Sequence, residues 1–163
     1  MLQSLIQDYT DAFVAAIDAA TPESVFVTDG PPPVAFLQSA QVVWVGDVAG
    51  AQETTALGRP NESGPKEEVF EMQAHISIYG PTTASATNTH ALQGRQAFEI
   101  FETINATLRA NQEMGLTAEA NPKAYVRMAE TRSPLTVKKG GNDQARETTV
   151  SFIVHVHGFL EGA

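Results

Sequence analysis

Residues 67–79, EEVFEMQAHISIY, decide the fold. Phe70, Met72, Ala74, Ile76 and Ile78 alternate with Glu71, Gln73, His75, Ser77 and Tyr79. Successive side chains of a strand point to opposite faces, so this period of two predicts a strand buried on one side only. One-sided burial belongs to antiparallel sheets, whereas strands of a covered parallel sheet are apolar throughout. Gly80-Pro81 ends the strand. The same alternation returns at 147–160, where Val150, Phe152, Val154 and Val156 interleave with Ser151, Ile153, His155 and His157.

Three shorter strands are expected around these two. Ser24–Thr28 runs into Asp29-Gly30 and the prolines Pro31, Pro32 and Pro33, which predict a stiff extended connector. Gln41–Val45 (QVVWV) is nearly continuous in apolar character and suits a central position. Residues 123–132 form the last, with Val126 and Met128 to one side and Tyr125 and Arg127 to the other.

Two stretches carry helical spacing. Leu2, Leu5, Ile6, Tyr9, Phe13 and Ile17 define an amphipathic helix over residues 2–20, stopped by Thr21-Pro22. A second runs from His90 to Asn111, capped by Asn88 or Thr89, with Ala97, Phe98, Phe101, Ile104 and Leu108 as its buried stripe. The order α-β-β-β-α-β-β predicts an α+β fold: a mainly antiparallel sheet of five strands, with both helices packed on the face carrying Phe70, Ile76, Phe152 and Val154. With neither an internal repeat nor a second core, residues 1–163 are expected to form a single domain with long polar loops at 47–66 and 133–146.

Composition bounds the function. The chain has 163 residues, 42% of them hydrophobic and 18% charged, which excludes a wholly disordered protein. A net charge of −9 disfavours tight non-specific binding to a phosphate backbone. There is no cysteine to supply a disulfide, thiolate ligand or thiol nucleophile. The N-terminal MLQSLIQDYTDAF lacks the basic start of an export signal, and no run reaches the about 18 apolar residues that span a bilayer.

Candidate chemistry is sparse. His75, His155 and His157 fall on the polar faces of two long strands and can converge on a divalent metal if those strands are neighbours. The plainer reading is half-exposed imidazoles on a wet face or at a subunit interface. The nucleophile elbow, the zincin motif and any paired carboxylates in a pocket are missing. Glu67, Glu68 and Glu71 are expected at a solvated strand end, and Trp44 among the core aromatics beside the helices. No catalytic, metal or cofactor-binding residue is assigned. Long loops on a one-sided sheet favour a structural or interaction protein. The contact candidates are Glu53, Leu57 and Arg59 in one loop and Lys138, Lys139, Asn142 and Asp143 in the other.

The pattern as a whole resembles the tail terminator, or tail completion, proteins of long-tailed, siphovirus-like bacteriophages. The resemblance is carried by the N-terminal amphipathic helix, VFVTDGPPP, VVWVGDV, the loop around ALGRPNESGPKEE, EVFEMQAHISIYG, RQAFEIFETINATLRAN and TTVSFIVHVHGFL, in that order. It implies a non-enzymatic virion protein without cofactor, assembled in the host cytoplasm. Such a protein forms a homo-oligomeric ring, usually of six subunits, at the head-proximal end of the tail. There it stops growth of the major tail tube protein and presents a docking face to the head-tail connector or stopper protein. DNA passes through its lumen without specific binding, and no membrane is involved. The alternatives are a head-closure or other head-tail joining protein and, in another class, a small enzyme using the three histidines and a metal.

Overall fold

A computed structural model describes residues 4–32, 40–54, 65–82, 89–142 and 144–161. Its elements are α1 (Ile6–Ala20), β1 (Val25–Asp29), β2 (Ala40–Thr54), β3 (Lys66–Pro81), α2 (His90–Ala110), β4 (Ala124–Gly141) and β5 (Ala145–Leu160). They form the expected α+β architecture, with one five-stranded sheet in the order β1-β2-β3-β5-β4. β1 pairs parallel to β2, and the other pairings are antiparallel. The two strands with the clearest alternation, β3 and β5, lie side by side in the middle.

Both helices cover one face. Tyr9, Phe13 and Ile17 from α1 and Ala97, Ile100, Ile104 and Leu108 from α2 join one buried cluster with Phe70, Met72, Ala74, Ile76, Phe152, Val154 and Val156. The opposite face carries no helix among the described residues. Each large apolar side chain (Val, Leu, Ile, Phe or Met) removed from water here stabilises the fold by roughly 1.5–3 kcal/mol, which favours holding β3 and β5 in this register.

The stripe of α2 is rotated from the expected one. Ile100 is buried, while Phe98 stays 39% exposed and Phe101 packs at the margin, its ring 4.9 Å from that of Phe152. Gln93 is buried too, at 1% exposure. It accepts a hydrogen bond from the Thr148 hydroxyl at 2.9 Å and donates one to the Arg146 carbonyl at 3.2 Å, fastening the start of α2 to β5.

Strands also run further than their composition suggests. β2 continues through Gly46-Asp47 to Thr54, because these two residues form a bulge opposite Gln73 and the ladder then resumes. Ser133–Arg146, expected as a loop, is instead mostly strand: β4 reaches Gly141 and β5 begins at Ala145. A three-residue irregularity at 133–135, which includes the cis Ser133-Pro134 peptide, interrupts the β4 ladder without ending it. A second bulge at Arg127 changes the facing of Met128. Val126 is buried on the helix side, whereas Met128 pairs with His157 on the opposite face. The expectation that Val126 and Met128 share a side is therefore corrected.

Candidate interaction surfaces

The uncovered face is organised by cross-strand polar contacts. Trp44 on β2 lies opposite His75 on β3, which lies opposite Ser151 on β5. The Trp44 and His75 rings stack with centroids 4.0 Å apart, and His75 Nδ1 is 2.7 Å from Ser151 Oγ. One register step along, Trp44 Nε1 donates to Ser77 Oγ at 3.1 Å. Ser77 Oγ is 2.9 Å from Thr149 Oγ1, which donates to Glu147 at 2.9 Å. The result is a polar ladder spanning β2, β3 and β5. Trp44 thus belongs to this face and not to the helix-covered core, because its strand parity matches His75 and not Ile76.

Burial holds the His75 pKa below histidine's ordinary range, with the Asp47 carboxylate opposing that shift. Burial thus favours the neutral imidazole. A Cβ on Gly46 would fall 2.9 Å from His75 Nε2, so the bulge backbone packs against the ring's other nitrogen. His75, Ser151, Gln73, Ile153, Pro134 and Thr136 line an open depression of about 300 Å³. Trp44, Ser151 and the Gly46 backbone hold the imidazole from three sides. The arrangement rigidifies the face.

The three histidines do not converge. His75 pairs with Ser151, whereas His155 pairs with Glu71, four positions further along β3 and roughly 13 Å away at strand rise. His155 lies 3.4 Å from Glu71, and His157 Nε2 lies 3.4 Å from Glu67. No group of three histidine or carboxylate side chains suited to a metal occurs among the described residues.

Glu68 is the functional-looking residue that the sequence misplaces. It is 1% exposed, not solvated. Its carboxylate accepts from the Leu5 amide at 2.5 Å and from Gln52 Nε2 at 2.6 Å. The parity of β3 turns it toward the start of α1, where unpaired amides and the helix dipole favour an anion. Gly158, opposite Glu68 on β5, leaves the space that Leu5 fills. The even-numbered parity shared with Phe70 is the signal that could have found it.

Of the contact candidates, Lys138 and Lys139 lie exposed on β4, the outer strand of the sheet. Asn142 has a local duty: its side-chain oxygen accepts from the Gln144 and Ala145 amides at 2.8 and 2.9 Å and fixes the β4–β5 turn. Glu53 stands in β2 opposite Glu67. Leu57, Arg59 and Asp143 lie outside the described residues. The structure therefore places the lysines on an edge strand of the sheet, away from Glu53. Leu135 and Val137, 45% and 46% exposed, lie on the same strand and were not anticipated.

No family model and no curated protein matches this sequence. Among solved structures, the chain is similar to one in the virion of a native gene transfer agent particle, at 12% identity over 96% of this chain and 99% of that one, with a TM-score of 0.48. It is also similar to a chain of the sheath/tube terminator of an extracellular contractile injection system in its extended state, at 14% identity over 95% of this chain and 58% of that one, with a TM-score of 0.42. Both likenesses are distant.

Proposed function

We propose that this protein is a non-enzymatic component of a phage tail that caps the head-proximal end of the tail tube as a ring. In this reading it ends tube polymerisation and offers the exposed face of the ring to the head-tail connector. The carrying observation is the one-sided sheet. Helices seal one face, a ladder of interlocked polar side chains stiffens the other, and the sheet ends in two unlike edge strands: β1, and β4, whose Val126 amide is taken by the Leu116 carbonyl but whose residues beyond Arg132 are exposed. Open strand edges are templates for another chain, and a subunit with two different edges can close a ring by heterologous contacts. The resemblance of its motif order to that of tail terminators supports placing that ring at the tube end, and six copies, the usual number in that family, is the number proposed.

Tube growth supplies the test. Added below the concentration of tail-tube protein, the full chain is expected to halt elongation, seen as an early plateau in light scattering. Growth that continues at the rate of untreated tube protein would contradict the reading.

A further inference from the structure

The net charge of −9 conceals a separation of charge across the sheet. Residues 1–58 contain no lysine or arginine. Asp8, Asp11, Asp18, Glu23 and Asp29 are all exposed on α1, β1 and their connection. Gln7 Nε2 donates to both Asp11 at 2.8 Å and Asp29 at 3.3 Å, which places two carboxylates in one patch at the β1 edge. Six of the 10 Lys and Arg residues fall between Lys123 and Arg146, on the β4–β5 side. Arg127 and Arg132 there are paired with Glu67 and Glu130 at 3.1 and 2.7 Å. Lys138 and Lys139 make no ion pair among the described residues. β1 and β4 are the two opposite edges of the sheet.

We infer that the β4 edge of one copy, through Lys138 and Lys139, docks against the acidic α1–β1 edge of a second copy, head to tail. Charge complementarity selects this occupant. Two β4 edges or two β1 edges brought together would oppose like charges, so symmetric pairing is disfavoured. The contact also has apolar surface on the β4 side, Leu135 and Val137, 45% and 46% exposed on the same strand as the lysines. Because the two surfaces differ, each docked copy still presents one edge of each kind, and the arrangement repeats until it closes. The inference deepens the ring reading above by naming the surfaces that meet, and it is tested without a tube.

Sedimentation velocity of the full chain, with the charge-reversed variants K138E/K139E and D11K/D29K, provides that test. All four positions are exposed or at the surface of the fold, and circular dichroism checks that each variant folds. The wild-type chain is expected to self-associate at low salt and to dissociate toward about 1 M salt, where the Debye length shrinks to about 3 Å. Each variant alone is expected to associate at least roughly tenfold more weakly. An equimolar mixture should regain association, because the glutamates placed on the β4 edge of one variant then meet the lysines placed at 11 and 29 of the other, while the unchanged lysines of the second meet the unchanged carboxylates of the first. A wild-type chain that stays monomeric at low salt, variants that associate like wild type, or a mixture that stays dissociated would each overturn the inference. Arrest of tube growth in the face of that result would leave the capping role standing, and salt-dependent association without arrest would remove the capping role alone.

Discussion

Glu68 shows how one side chain joins the start of α1 to the strands β2 and β3. Its carboxylate receives the Leu5 amide and the Gln52 side chain inside the core margin. Glu68→Gln keeps the shape but turns one acceptor into a donor facing donors. Hydrogen bonds to a buried charge contribute about 1.5–3 kcal/mol each, so urea unfolding should show a loss of about that size. His75 makes a pH prediction. Burial lowers its pKa in the folded state, so the unfolded chain binds more protons as pH falls. The associated stability is complete above histidine's ordinary value near 6.5 and is lost as pH falls through that value toward the folded pKa. His75→Asn should therefore flatten the drop in melting temperature as pH falls below about 6.5. A drop of unchanged steepness would remove His75 as its source.

At the level of elements, glycines decide how closely β2 lies on β3. A Cβ on Gly50 would sit 2.7 Å from Phe70 Cβ and 3.0 Å from the Val69 carbonyl. Gly50→Val is expected to cost about 1–3 kcal/mol by overpacking. Gly140, with nothing within 4 Å, should accept alanine with a change of under about 0.5 kcal/mol. Thermal melting separates the two. The alternation in residues 67–79 and 147–160 was legible because one face is sealed by helices and the other is not. β4 beyond Arg132 was not legible, since an edge strand exposed on both faces has no apolar period to reveal it, and Pro134 sits in an irregularity where no ladder donor is needed. Gly46-Asp47 has the composition of a strand end as much as of a bulge: a bulge and a turn use the same residues, and only the partner strand distinguishes them. Trp44 and His75 were visible separately in the sequence, but their stacking depends on a register that composition does not encode.

For the whole molecule, the separated charge changes what acidity means. An acidic chain of uniform charge would repel its own copies as well as DNA. Here the carboxylates of α1 and β1 stand at one edge and the lysines of β4 at the other. On the proposed contact, part of the acidity is neutralised between copies, and only the remainder can face a lumen. Loss of the core should abolish every assembly property together. Val154→Asp puts a carboxylate at a position with 0% exposure and should cost several kcal/mol, seen as loss of cooperative melting. The charge reversals, by contrast, should disturb assembly and leave melting intact. The most direct measurement of the capping claim is electron microscopy of tail tubes assembled in the presence of the full chain. The account predicts a ring of added density at one end of each tube, with no density along its length. Tube ends identical with and without the protein would contradict it.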